Sequence, residues 1–273
     1  MPDITSNGIT LHYTDTGGHG RPVVLIHGWP LSGKSWADQE AALTDAGYRA
    51  IAYDRRGFGD SDKPESGYDY DTFAADLAGL LDELDLTDVT LVGFSMGGGE
   101  VARYLGTYGD ARVRSAVLAG AVPPYLLKTD DNPDGGLAED DVQEMESGAR
   151  DNREEFLDGF TTNFFSVDGE LKVSEDQRQQ ALALEAPARD EALVGCIGAF
   201  GRTDFRGDLA KIAVPTLVIH GDGDAVVPFE VSGKRSAEAI SDSELVVVSG
   251  APHGFNVSHR DEFNAALLAF LGR

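Results

Sequence analysis

The sequence predicts an α/β protein in which helices flank a mostly parallel, eight-stranded sheet. Short apolar runs such as Val23–Ile26 alternate with helical segments, which is typical of parallel strands covered on both faces. This alternation stops after Pro123-Pro124 and resumes at Pro215. We therefore expect one core domain built from residues 1–123 and 207–273, with residues 124–206 inserted as a helical cap.

The first half of the chain supplies most of the expected sheet. Residues 1–20 alternate polar and apolar side chains around a Ser6-Asn7-Gly8 turn, as in a β-hairpin. Gly47 ends the first helix, and leucines at helical spacing form one face of the second. After strand Val23–Ile26, the expected order is helix Ser35–Ala46, strand Arg49–Tyr53, helix Thr72–Leu84, strand Val89–Val92, helix Gly98–Leu105 and strand Val113–Leu118.

The second half divides into a helical part and the end of the sheet. Residues 125–206 contain helix-forming residues with Gly and Asp interruptions and no convincing buried strand. Two further apolar runs follow, Pro215–His220 and Leu245–Ser249, and an amphipathic helix over Asp261–Leu271 closes the chain. We expect both runs to complete the sheet.

Residues 93–97, Gly-Phe-Ser-Met-Gly, fit the pattern G-x-S-x-G between an apolar strand and a helix. Small residues on both sides of Ser95 allow a sharp strand-to-helix turn, which projects the hydroxyl into a cleft. The pattern is short, so a glycine-rich turn that merely contains serine is the alternative. Its position after a strand favours Ser95 as a nucleophile.

A serine nucleophile needs a base and an acid that orients the base. His253 and Asp224 each follow a predicted strand, so they would reach the same sheet edge as Ser95, in the order Ser, Asp, His. Asp222 is the rival acid, and its alternative role is to stabilise the turn. The other histidines have simpler explanations: solvent-facing for His12, His19 and His259, and packing or backbone hydrogen bonds for His27 and His220.

An oxyanion formed at Ser95 would need preorganised N–H donors. We expect the amides of Met96 and Trp29 to supply them, because Met96 follows the serine and Trp29 lies in the loop after Ile26. Pro30 has no N–H and can only shape this loop. Residues 28–35 also match the phosphate-binding pattern G-x-x-x-x-G-K-[ST], but Trp29-Pro30 adds bulk and removes an amide that would bind phosphate.

The composition restricts partners and location. The 47 Asp and Glu against 22 Lys and Arg give a charge of −25, which argues against nucleic acid or anionic membranes as partners. Such self-repulsion favours a halophilic host with a salt-rich cytoplasm, and an ordinary acidic enzyme is the alternative. The sequence shows no signal peptide or membrane-spanning run, and its single cysteine, Cys196, excludes an intrachain disulfide. We expect a cytoplasmic protein.

Taken together, the chain resembles the cofactor-free (non-haem) haloperoxidase, arylesterase and perhydrolase family of α/β-hydrolases nearly end to end. The resemblance lies in residues 27–31, 53–59, 93–104, 121–124, 203–205, 215–224 and 249–254. It implies the α/β-hydrolase fold, with Ser95 as nucleophile, Asp224 as acid, His253 as base and the Trp29 and Met96 amides as the oxyanion hole. It also supports Asp224 over Asp222.

This resemblance further implies hydrolysis of small carboxylic esters through an acyl-enzyme, without metal, haem or other cofactor. Hydrogen peroxide can replace water, which gives a peracid that oxidises halide, and Pro30 is associated with stronger perhydrolysis. A symmetric homo-oligomer is implied as well. The alternatives are a carbon–carbon bond or lactone hydrolase with the same triad and a signalling receptor of the same fold.

The substrate pocket is expected to be apolar and to accept short uncharged acyl groups. Its candidates come from the sheet edge and the cap, and each could instead be ordinary core. They are Trp29, Pro30, Val122, Phe160, Phe164, Phe200, Val226 and Phe255.

Overall fold

A computed structural model describes residues 2–273 and contains one large sheet and one two-stranded sheet. The strands are β1 (Asp3–Ser6), β2 (Ile9–Asp15), β3 (Pro22–Ile26), β4 (Arg49–Tyr53), β5 (Val89–Phe94), β6 (Val113–Ala119), β7 (Ser166–Val167), β8 (Glu170–Leu171), β9 (Thr216–Gly221) and β10 (Ser243–Val248). The helices are α1 (Ala37–Asp45), α2 (Tyr70–Glu83), α3 (Met96–Tyr108), α4 (Glu139–Asp151), α5 (Arg153–Phe164), α6 (Glu175–Glu185), α7 (Asp190–Arg202), α8 (Arg206–Leu209), α9 (Gly233–Ala239), α10 (Phe255–Ser258) and α11 (Arg260–Leu271).

The large sheet has eight strands in the order β1-β2-β4-β3-β5-β6-β9-β10. The strands from β4 to β10 in this order pair in parallel, and only the β1–β2 hairpin and its junction with β4 are antiparallel. This arrangement confirms the predicted α/β architecture. The parallel strands end at one edge of the sheet, where loops from β3, β5, β9 and β10 meet.

Side chains of β3 show why an uninterrupted apolar run suits this sheet. Successive residues of a strand face opposite sides. Val24 and Ile26 therefore join the hydrophobic core that contains residues of α2 and α3, whereas Val23 and Leu25 join the core under α1 and α11. Both faces of the strand are buried, so neither can be polar.

The observed helices extend or divide several predicted ones. The expected helix at Ser35 starts as a 3₁₀ turn over Gly33–Trp36 and continues as α1. Asp69 caps α2 by accepting from the Thr72 amide at 2.9 Å, so this helix begins at Tyr70 rather than Thr72. The sequence does not predict α8, α9 and α10, because helices of 4 to 7 residues are too short to show a periodic apolar stripe.

The segment between β6 and β9 contains α4–α8 and the two-stranded sheet β7–β8. Each of these strands has two residues, which explains why no buried strand could be recognised in the sequence there. Within residues 2–273, no helix combines the length and apolarity needed to cross a membrane.

Candidate active site

Ser95 occupies the turn between β5 and α3, with φ 55° and ψ −119°. Two glycines make this turn possible, because a Cβ at Gly93 would lie 2.3 Å from the Gly97 carbonyl oxygen and one at Gly97 2.4 Å from the Ile26 carbonyl oxygen. The Ser95 amide donates to the Ala119 carbonyl at 2.8 Å, which ties the turn to the next strand. The backbone therefore holds the serine hydroxyl at the sheet edge.

The side chains of Ser95, Asp224 and His253 form one hydrogen-bonded chain. His253 Nε2 lies 2.9 Å from Ser95 Oγ, and His253 Nδ1 lies 2.6 Å from Asp224 Oδ2. A carboxylate accepts, so Nδ1 carries the proton and Nε2 presents a lone pair to the serine hydroxyl. All three residues are buried. This arrangement can transfer the serine proton to the imidazole.

The Asp224 carboxylate is held on both oxygens. Oδ1 accepts from the Val226 amide at 2.9 Å and from the Val227 amide at 2.8 Å, and Oδ2 faces His253 and, at 3.3 Å, His220 Nε2. Burial alone would raise the pKa of Asp224, but the charge of His253 and hydrogen bonds from both histidines outweigh it and lower that pKa. The carboxylate is thus ionised at neutral pH.

Asp222, the rival acid, lies outside this chain. Its Oδ1 accepts from the Gly250 amide at 2.5 Å, and its Oδ2 lies 3.5 Å from the Ser249 hydroxyl. These contacts join the turn after β9 to the turn after β10. Asp222 therefore has the turn-stabilising contacts that the sequence offered as its alternative role.

The two expected oxyanion donors lie in different loops. Met96 is the first residue of α3, where amides have no partner within the helix. The Trp29 amide likewise donates to no protein acceptor among residues 2–273. The Trp29 indole N–H donates to the Leu193 carbonyl of α7 at 3.2 Å, so this helix fixes the side chain of the loop residue. Both amides are available to an oxyanion.

A small apolar cavity of about 40 Å³ opens onto Ser95. It contains no charged side chain, and α4, α5 and α7 form part of its wall. Its lining residues are Trp29, Ser95, Val122, Leu126, Leu137, Met145, Phe160, Phe200, Val226 and Val227.

Comparisons with known proteins agree with this fold. Residues 21–259 match the model of the alpha/beta hydrolase fold family. The chain is 46% identical to a non-heme chloroperoxidase of Kitasatospora aureofaciens over 98% of both chains. The chain belongs to the α/β-hydrolase family. Within that family it groups with non-heme haloperoxidases and perhydrolases, which confirms the resemblance found in the sequence.

Two more comparisons show which α/β hydrolases this chain is similar to. It is 38% identical to a bifunctional esterase/perhydrolase of Acinetobacter calcoaceticus, over 98% of both chains. Among solved structures, a bromoperoxidase from Bacillus anthracis superimposes with a TM-score of 0.96 at 52% identity, and the match covers 100% of both chains. At least 98% of the chain thus has counterparts in each of these relatives.

Five of the expected pocket residues line the cavity of this hydrolase: Trp29, Val122, Phe160, Phe200 and Val226. Three do not. Phe164 packs edge-on against the His253 ring, with centroids 5.0 Å apart, and so supports the histidine. Phe255 lies below the site between Phe94 and Phe263, and Pro30 follows Trp29 without reaching the cavity wall.

The sequence did not single out four residues of the cavity wall: Leu126, Leu137, Met145 and Val227. Met145 lies on the α4 face that includes Val142 and Ala149, so helical periodicity could have indicated it. Leu126 and Leu137 approach each other because the Leu137 amide donates to the Leu126 carbonyl at 2.9 Å. Nothing in the local sequence signals this loop closure.

The segment that matched a phosphate-binding loop makes other contacts. The Gly33 amide donates to Asp54 Oδ1 at 2.7 Å, Lys34 Nζ donates to Asp60 at 2.8 Å, and the Ser35 hydroxyl donates to the Ser32 carbonyl at 2.8 Å. These bonds occupy the groups that would bind a nucleotide phosphate. The geometry does not support a nucleotide site here.

The remaining histidines differ in burial. His19 is exposed as expected, but His12 is mostly buried and its Nδ1 lies 2.8 Å from Asp3 Oδ1. His259 is half-buried beside the Ser258 hydroxyl. His27 is buried at the end of β3, where its Nε2 accepts from the Arg55 amide at 2.9 Å.

One group in residues 2–273 has the spacing of metal ligands: His12, Asp54 and Asp60. Lys34 already binds Asp60, and both Asp54 oxygens accept backbone amides. Those contacts already occupy the two carboxylates of the cluster. Cys196 is buried, and burial raises the pKa of its thiol to about 12, so it is a poor nucleophile at neutral pH.

Proposed function

We propose that this chain is a serine esterase that cleaves small carboxylic esters through an acyl-enzyme and also catalyses perhydrolysis. The hydrogen-bonded chain from Ser95 through His253 to Asp224 carries this proposal. Relatives named as non-heme chloroperoxidase and as esterase/perhydrolase, at 46% and 38% identity, support both activities.

In the first half-reaction, His253 Nε2 takes the Ser95 proton while Oγ attacks the ester carbonyl carbon. The amides of Met96 and Trp29 stabilise the oxyanion, and the ionised Asp224 stabilises the imidazolium. His253 then donates its proton to the departing alcohol oxygen. The product is an ester between the acyl group and Ser95.

In the second half-reaction, His253 deprotonates water or hydrogen peroxide for attack on the acyl-enzyme. Water gives a carboxylic acid, and hydrogen peroxide gives a peracid, with Ser95 regenerated in both cases. The peracid then oxidises halide in solution to hypohalous acid and returns the carboxylic acid. The proposed sequence uses no metal or haem, and its partners are an ester or carboxylic acid and hydrogen peroxide.

The cavity favours short, uncharged acyl groups. Its volume of about 40 Å³ is small, and its wall is apolar apart from the Ser95 hydroxyl. A charged acyl chain would lose hydration there without gaining a partner. We therefore expect acetate and propionate esters to be better substrates than longer or charged ones.

The test is a panel of p-nitrophenyl esters of increasing acyl length, assayed with and without hydrogen peroxide and bromide. We expect steady turnover of the acetate ester, peracid formation with peroxide, and loss of both activities by several orders of magnitude in Ser95→Ala. A single burst without turnover would instead indicate a ligand-trapping receptor. A lactone assayed in parallel and turned over while no p-nitrophenyl ester is cleaved would indicate a lactone hydrolase.

A further inference from the structure

His220, near the end of β9, contacts the same carboxylate oxygen as His253 but has no role in the mechanism above. Its Nε2 lies 2.8 Å from the Val227 carbonyl oxygen and 3.3 Å from Asp224 Oδ2. A carbonyl oxygen only accepts hydrogen bonds, so Nε2 must carry a proton. That N–H therefore donates to the Val227 carbonyl, and Asp224 Oδ2, which belongs to the acid of the proposed triad, lies 3.3 Å from the same nitrogen.

The other ring nitrogen of His220 makes this histidine unfavourable for the stability of the fold. His220 Nδ1 is buried and has no hydrogen-bond partner among the described residues. The backbone of α9 closes over it, since a Cβ at Gly233 would lie 2.5 Å from Nδ1. A buried polar atom without a partner is unfavourable, so an apolar residue would serve packing better. The Nε2–H group donates to the Val227 carbonyl, which an apolar residue could not do.

We propose that His220 is a positioning residue, which holds the Asp224 carboxylate in register with His253 by bridging it to the Val227 carbonyl. This proposal rests on the proposed function of the triad. Asp224 lies on a turn after β9, where Val226 and Val227 amides hold its Oδ1. Without His220, Oδ2 would contact His253 alone, and the two amides on Oδ1 would be the other contacts left to resist rotation of the carboxylate about its Cβ–Cγ bond.

His220 also shares the charge of Oδ2 with His253. Removal of His220 should therefore reorient the hydrogen bond between Asp224 and His253 Nδ1. A residue that served only packing would leave that hydrogen bond unchanged.

The test compares His220→Leu, which removes the donor, with His220→Gln, whose side-chain N–H can reach the Val227 carbonyl. Thr90→Val is the matched control, because it also removes one buried hydrogen bond, between Thr90 and Ser115 at 2.8 Å. We expect kcat for p-nitrophenyl acetate to fall about 10- to 100-fold in His220→Leu with KM nearly unchanged, as for other groups that orient a reacting residue. His220→Gln should regain most of the loss, and Thr90→Val should keep wild-type kcat.

A second measurement follows the hydrogen bond itself. The proton between His253 Nδ1 and Asp224 should give a far-downfield proton NMR signal, which should move in His220→Leu and stay in place in Thr90→Val. An unchanged signal, or a kcat of His220→Leu within about threefold of that of Thr90→Val, would overturn the positioning role. If wild-type protein hydrolyses no ester, the proposed function fails, but the NMR comparison still decides whether His220 holds Asp224.

Discussion

Replacing Asp224 with asparagine places an N–H₂ group where every neighbour is a hydrogen-bond donor. In the wild-type site, the amides of Val226 and Val227 donate to one oxygen, and His253 and His220 approach the other. Asparagine has one oxygen and one nitrogen in the side-chain amide, so either the two backbone amides or the two histidines must face its N–H₂ group. The two backbone amides cannot change their role, which leaves the oxygen facing them and the N–H₂ group facing the histidines.

The expected loss of kcat follows from a change in the tautomer of His253. Opposite an N–H₂ donor, Nδ1 must present its lone pair, and the ring proton moves to Nε2. Nε2 lies 2.9 Å from Ser95 Oγ in the wild-type site and could then no longer accept the serine proton. In a serine protease with the same kind of triad, the Asp→Asn change causes this tautomer change and lowers kcat about 10⁴-fold. At about 1.4 kcal/mol per factor of ten, it corresponds to about 5 kcal/mol of lost transition-state stabilisation.

The assay is steady-state hydrolysis of p-nitrophenyl acetate by wild type, Asp224→Asn and Asp222→Asn. Asp222 supplies a matched control two residues away, since its bonds to Gly250 and Ser249 join turns without contacting His253. We expect Asp222→Asn to keep kcat within about threefold, as surface substitutions usually do. The reasoning is refuted if Asp224→Asn retains more than about one hundredth of wild-type kcat, or if the two variants lose equal activity.

Three further predictions concern the loop, the cap and the surface. Pro30→Leu should lower the ratio of perhydrolysis to hydrolysis, because proline fixes the backbone that follows Trp29; an unchanged ratio in parallel peracid and ester assays would contradict this role. Glu185 in α6 is 2% exposed, accepts from the Thr161 hydroxyl at 2.8 Å, and has its pKa raised by burial from 4.5 to about 8. Its folded form therefore keeps a proton that the unfolded chain has lost, so stability should fall as pH rises from about 4.5 to about 8. Glu185→Gln should reduce this fall in melting temperature, and an equally steep fall in the variant would show that other groups cause it. Finally, we propose that the charge of −25 reflects adaptation to salt. The melting temperature should then rise between low salt and about 1 M KCl, because the Debye length shrinks to about 3 Å and the surface charges repel each other less. A melting temperature that stays flat or falls over this range would exclude such adaptation.

The sequence alone determined the sheet and the order of the proposed triad. Strands such as β3 and β5 are buried on both faces, so nearly all of their side chains are apolar, and such runs are visible without coordinates. Ser95 was recognisable because its sharp turn tolerates only glycine at positions 93 and 97. Asp224 and His253 were recognisable because each follows a strand, and parallel strands end at the same edge. Each of these patterns lies within a short stretch of sequence, yet it determines where that stretch lies in the sheet.

The tertiary structure alone decided which apolar residues face the substrate. Phe160 and Phe164 lie four residues apart in α5, yet one lines the cavity and the other packs against His253. Their sequence environment does not separate them, because both are aromatic residues on the same helix. The contact between His220 and Asp224 likewise depends on the turn after β9, in which the Val226 and Val227 amides donate to the carboxylate. Such contacts are set by how separate elements pack, and no periodicity within one element encodes them.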